Sequence, residues 1–187
     1  MNIRERWNWL WDVPVDGPKA TLLLRLMAGS VFVWEGVMKF IFVSQGLGRF
    51  TKLGFPFPGL TAHFVGVVEI VGGLMLLAGL CTRAIAIVFI IEMAVAMLST
   101  KITMFLGTSP LALPPVAPQT GFWAVLHEIR SEFAQMFVSL FVMIEGPGRL
   151  SLDAWLRHRG LLARPASAHS STKTPEFETA GRGLRAR

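Results

Sequence analysis

Residues 60–83 read LTAHFVGVVEIVGGLMLLAGLCTR. About 20 apolar residues suffice to cross a hydrocarbon core of roughly 30 Å, so this stretch is long enough to span a bilayer. Near its middle stands Glu69, among the small residues Gly66, Gly72 and Gly73. A carboxylate at that depth costs roughly 2.5–3.5 kcal/mol on insertion scales, so it needs a partner or a task. The fold follows from finding more spans like this one, and the function from finding what Glu69 meets.

Working outward, three further spans are expected at about residues 20–43, 84–105 and 123–145, with 60–82 as the second. The chain has 187 residues, 52% hydrophobic and only 16% charged, which suits a small polytopic membrane protein better than a soluble domain. The expected fold is all-α: a four-transmembrane-helix bundle with short amphipathic flanking segments. The turn Cys81-Thr82-Arg83 leaves almost no loop, so the second and third spans should form an antiparallel hairpin. Residues 44–59, rich in Gly, Pro and Phe, suit a short amphipathic or re-entrant element. Residues 106–122 carry four prolines and no regular period, as a loop outside the bilayer does.

The flanks fit the same scheme. Residues 1–19 hold Trp7, Trp9 and Trp11 among charges, the composition of an interfacial anchor. The first apolar run starts late, contains Arg25 and lacks a small-residue cleavage site, so the N-terminus is expected to stay on. Residues 147–162 read as an amphipathic surface segment, and 163–187 as a disordered basic tail. The N-terminal segment, the 82–83 turn and the tail carry twelve Lys and Arg, against Arg49, Lys52 and Lys101 on the other side, which predicts both termini in the cytoplasm. The net charge of +6 is concentrated after residue 148, which points to anionic lipid and away from nucleic acid. A single cysteine, Cys81, excludes an internal disulfide or a CxxC redox pair and reads as a small apolar filler.

The polar residues inside the spans are the candidate site: Arg25, Glu35, Lys39, His63, Glu69, Glu92, His127, Glu128, Arg130 and Glu132. Glu35 and Lys39, four apart, are placed to form an intrahelical pair, with Arg25 and Lys39 near enough to the span ends to snorkel. Across the hairpin Glu69 and Glu92 fall at comparable depth, with Lys39, Arg130, His63 and His127 as countercharges. Glu128, Glu132, Gln135 and Ser139 form one stripe of the fourth span. Gly29 and Gly36, seven apart, mark a close-packing face of the first span. The histidines lack an i,i+4 ligand pair, so no metal site is expected. Two readings stay open: a buried ion-pair network that holds the helices together, or a polar pocket for a headgroup, quinone, substrate or proton relay.

With the spans laid out, the sequence resembles the DoxX family of small four-helix membrane proteins. The resemblance rests on LLLRLMAGSVFVWEGVMKF, on GLGRFTKLGFPFPGLTAHF, on FVGVVEIVGGLMLLAGLCTRAIA and on the closing EGPGRLSLDAWL, over about residues 20–157. Within these, Arg25, Lys39, Glu69, Gly73, Gly79 and Thr82-Arg83, followed by the Gly-Pro-Gly-Arg exit, carry it. The resemblance implies a multi-pass protein of a bacterial-type inner membrane. Some members are linked to thiosulfate oxidation with quinone as acceptor, in a two-subunit assembly, and others to oxidoreductase complexes handling thiols and oxidative stress. A subunit of such a quinone-linked system is therefore one expectation, with quinone as its cofactor and oxidoreductase subunits or further copies of the chain as partners. The other is a non-enzymatic membrane scaffold or small-solute carrier with structural charges. The sequence has no flavin or nicotinamide motif and no haem ligand pair.

Overall fold

The computed structural model describes residues 14–161; the tryptophans at positions 7, 9 and 11 and the tail 163–187 lie outside the described residues. Among the described residues every element is helical: α1 (Thr21–Ile41), α2 (Leu47–Lys52), α3 (Pro58–Ala78), α4 (Thr82–Phe105), α5 (Gly121–Glu128), α6 (Arg130–Glu145) and α7 (Leu152–His158). Three of these, α1, α3 and α4, are long and apolar enough to cross a membrane. Their outer faces carry Leu23, Trp34, Phe64, Leu74, Ile91 and Leu98, all exposed, a surface that only lipid covers without cost.

The expected fourth span is divided. Helix α5 ends at Glu128 and α6 begins at Arg130, so neither part reaches the required length: sixteen residues at 1.5 Å each give α6 about 24 Å. The break coincides with a crowd of polar groups, where the Arg130 guanidinium donates to the His127 carbonyl at 2.6 Å.

Helix pairing also departs from the hairpin expectation. Although α3 and α4 are joined by three residues, the intimate pairs are α1 with α3 and α4 with α6. Glycine explains the first. A Cβ at Gly29 would lie 2.9 Å from the Gly73 carbonyl oxygen, and one at Gly73 would lie 2.8 Å from that of Gly29. One heptad on, a Cβ at Gly36 would lie 2.7 Å from the Gly66 carbonyl oxygen. The two glycine pairs keep one antiparallel register, and the backbones touch along the seam. Gly72, on another face of α3, instead receives Ile85 and Phe89 of α4. Phe89 in turn stacks on Phe32 of α1, ring centroids 3.5 Å apart, and closes the core beneath the polar residues.

At the end of the bundle where α1 begins and α6 finishes, charged side chains sit on helix termini. Arg25 is 1% exposed, so it does not snorkel. Its Nε and Nη2 donate to the Leu76 and Leu77 carbonyls at 2.9 and 2.6 Å, and its Nη1 to the Pro147 and Leu150 carbonyls at 2.9 and 2.7 Å. It thus neutralises the C-terminus of α3 and ties the chain's exit to it. Arg83 does the same for α6, its Nε donating to the Met143 carbonyl at 2.9 Å. Asp153 has the opposite task. Its carboxylate accepts from the Cys81 and Thr82 amides and the Thr82 hydroxyl, at 3.1, 3.3 and 2.9 Å, and caps the N-terminus of α4 from α7. Helix α7 is therefore docked through the buried Asp153 and Ala154, while Leu152 and Trp155 stay exposed. Burial and then the Asp153 charge push the Cys81 thiol up from its ordinary value, which keeps it protonated and a poor nucleophile. Gly79 makes the tight α3 exit possible: it ends the helix at φ +70, and a Cβ there would lie 2.6 Å from the Arg25 guanidinium carbon.

Candidate functional site

The opposite half of the bundle encloses a cavity of about 700 Å³ between α1, α3, α4 and α6. Its polar lining comes from every one of these helices: Glu35 and Lys39, Glu69, Glu92 and Lys101, Glu132 and Gln135. Glu128 of α5 joins them, and α2 covers one side with Arg49 and Phe50, next to Gln45.

The glycine seam decides how the polar groups meet. Gly36 lies against the Glu69 Cβ, so the Lys39 side chain, which leans back toward its own N-terminus, arrives at the Glu69 carboxylate. The pair closes at 2.5 Å with both side chains largely buried. The intrahelical Glu35–Lys39 pair expected from spacing is not formed. Glu69 is 3% exposed and has more to lose by standing alone than the half-buried Glu35, so the single ammonium goes to it. Glu92 of α4 lines the same cavity as this pair. A second ion pair, Lys101 to Glu132 at 3.0 Å, joins α4 to α6 on the far wall.

Six of the ten sequence candidates line the cavity: Glu35, Lys39, Glu69, Glu92, Glu128 and Glu132. Four do not. Arg25 holds the other end of the bundle, as described above. His63 is exposed, its Nδ1 2.6 Å from the Gly59 carbonyl oxygen and its ring edge-on to Phe40. His127 is exposed beside Glu128 and borders a shallow apolar groove with Pro118, Trp123 and Leu126. Arg130 points outward to the His127 carbonyl and neutralises no carboxylate in the cavity. Its expected role is filled by Lys101, a buried cation four residues before the end of α4. Among the described residues no three His, Cys, Asp or Glu side chains are grouped to hold a metal ion.

The cavity has two chemical halves. Lys39, Glu69 and Glu92 supply charge, and Phe32, Val65, Val68 and Val88 supply apolar wall. Some of that wall, including Phe64, Ile91 and Val95, also belongs to the exposed outer face of α3 and α4. These two helices pack sparsely on each other, so the cavity borders the lipid-facing surface between them.

Sequence comparison finds relatives among membrane proteins. The chain is 35% identical over 158 residues to the uncharacterized membrane protein Rv3486 of Mycobacterium tuberculosis, a match covering 81% of this chain and 90% of that protein. The family model for DoxX matches residues 20–102. The chain belongs to the DoxX family. A Bacillus subtilis protein named "Putative oxidoreductase CatD" is 29% identical over 90 residues, 48% of this chain and 66% of that one. No solved structure gives a significant match. The DoxX match contains Lys39, Glu69, Glu92 and Lys101 and stops before α5 and α6, which supply Glu128, Glu132 and Gln135.

Proposed function

We propose that the protein is a bilayer-embedded subunit of a quinone-linked oxidoreductase system in a bacterial inner membrane, and that the cavity receives the quinone ring. The observation that supports this reading is the pairing of a charged cluster with an apolar wall that continues onto the lipid-facing surface. A bilayer-soluble ring with a polar edge matches both halves. Lys39 would face an oxygen of the ring, and the Glu69–Glu92 pair would hold or release a proton beside it. A quinone bound there would supply the electron-carrying chemistry, and a partner subunit the thiol or sulfur substrate. On this reading the family link to oxidoreductases, shared by name with CatD, reflects a supporting membrane component.

The membrane arrangement is part of the proposal. We read α5 and α6 together as a fourth crossing, with residues 20–146 as the membrane domain and both termini cytoplasmic. A topology reporter fused at residue 112 then reads extracytoplasmic; a cytoplasmic signal overturns the orientation and moves the cavity to the inner leaflet. The binding claim is tested with Glu69→Gln, which keeps shape and removes charge. It is expected to insert and fold as the parent does, and to lose short-chain quinone binding by about tenfold or more, because Lys39 loses the carboxylate that holds it in the cavity. Equal binding by both proteins, measured by equilibrium dialysis in detergent, overturns the proposed site. A loss of thermal stability in Glu69→Gln that is unaffected by added quinone favours the alternative, a scaffold whose buried charges are structural.

A further inference from the structure

The cavity is closed toward one end of the bundle and not toward the other. Ile41, Pro58, Phe105 and Arg130 mark the ends of α1, α3, α4 and α6 on one side. From there the cavity runs inward to Glu69, eleven residues in from Pro58, and to Met93, twelve in from Phe105. At 1.5 Å per residue that is a depth of about 16–18 Å. Side-chain exposure falls inward along the wall: 33% at Glu128, 18% at Glu132, 13% at Lys39 and 5% at Glu69. The mouth is polar, with Gln45 and Arg49 on one side and Lys101, Glu128 and the exposed Ser131 on the other. A water molecule occupies about 30 Å³ and needs polar partners, so a cavity of about 700 Å³ with this lining holds water. The floor is dry. Phe32 stacks on Phe89 there, and Ala28, Leu76, Phe89 and Val142 are completely buried. Below the floor, Arg25 and Arg83 are bonded to the carbonyls that end α3 and α6.

We infer that the cavity is a one-sided aqueous vestibule. It exchanges water, protons and small hydrophilic solutes with the compartment at the α5–α6 break, and it is sealed from the compartment at the Arg25 end. In the proposed topology the open side is extracytoplasmic. The five carboxyl groups of the lining, faced by Lys39, Arg49 and Lys101, then exchange protons with that compartment alone. Two routes lead to the same place and carry different traffic: apolar bodies enter from the lipid between α3 and α4, and water and protons through the mouth. The inference concerns access, goes beyond the proposed function and stands whatever the cavity binds.

The test introduces single cysteines into the full-length protein carrying Cys81→Ser, in right-side-out and inverted membrane vesicles. Each is exposed to a membrane-impermeant quaternary-ammonium methanethiosulfonate added outside the vesicles. Ser131→Cys at the mouth and Ser99→Cys, six residues inside the end of α4, are expected to react in one vesicle orientation only. That orientation is the one that exposes the face reported by a reporter at residue 112. In it, Ser99→Cys is expected to react about tenfold or more faster than Ala86→Cys, which lies fully buried toward the sealed end, because the reactive thiolate forms only where water reaches. Leu98→Cys, exposed but outside the lining, is the lipid-facing control and stays slow in both orientations. Equal reaction of Ser99→Cys in both orientations, reaction from the Arg25 side, or a rate no faster than that of Ala86→Cys overturns the vestibule. Ala96→Cys, also in the lining, gives the same reading if Ser99→Cys does not fold. A reversed topology moves the labelled face together with the reporter and leaves the one-sidedness intact. Quinone binding is not measured, so the vestibule and the quinone site stand or fall separately.

Discussion

Arg25→Lys is expected to be nearly as damaging as Arg25→Ala, although it preserves the charge. The guanidinium donates to four backbone carbonyls, two at the end of α3 and two in the exit segment after α6. Its planar fork makes this possible; an ammonium on a single point cannot reach both segments. With alanine, buried carbonyls at the negative end of α3 lose their donors, each at about 1–3 kcal/mol before relaxation. We expect either variant to lower stability by about 3–5 kcal/mol, the usual consequence of removing one partner from a buried charged contact. Thermal unfolding in detergent, or the yield of monodisperse protein, measures it. A lysine variant that melts with the parent would show that the four contacts contribute little.

The second large effect is expected at the glycine seam. A Cβ at Gly36 would lie 2.7 Å from the Gly66 carbonyl oxygen and 2.9 Å from the Glu69 Cβ. A backbone oxygen cannot swing aside, so Gly36→Val forces α1 and α3 apart. Overpacking of this kind costs about 1–3 kcal/mol or more, and here it also draws Lys39 away from Glu69. The variant should lose both thermal stability and ligand binding. Gly59→Ala is the matched control: a Cβ there meets only the Leu47 side chain at 3.7 Å, and alanine suits a helix better. If Gly36→Val keeps parental stability and binding, the seam does not position the pair.

These expectations separate what the chain made legible from what it concealed. Glu69 could be found because a carboxylate in the middle of an apolar run is conspicuous, and Lys39 because few cations lie at that depth. The glycines that bring the two together were also visible as a pattern, since close helix approach demands small residues at heptad spacing. The function of Arg25 was hidden because its partners are backbone carbonyls, which every residue has. Asp153 was hidden for a related reason: it caps α4 across a sequence separation of 71 residues, and no local periodicity announces such a bond. The histidines misled because residue type suggests chemistry, while helix phase turns His63 and His127 outward. The far wall was legible in part. The Glu128–Glu132–Gln135 stripe was present, but its countercharge came from Lys101 on α4 and not from Arg130 on the same segment. The residues that carried the family resemblance divide in the same way. Lys39 and Glu69 build the cavity, whereas Arg25, Gly79, Thr82 and Arg83 fasten its opposite end.

The Arg25 contacts also set an order of events during biosynthesis. Arg25 belongs to α1, yet two of its acceptors lie 122 and 125 residues further along the chain. At synthesis rates of about 5–20 residues per second, that helix waits several seconds with its guanidinium incompletely matched. Leu76 and Leu77 arrive sooner and can take half of it. The nascent chain therefore depends on the insertion machinery, or on early docking of α3, to shelter one cation until translation delivers the rest.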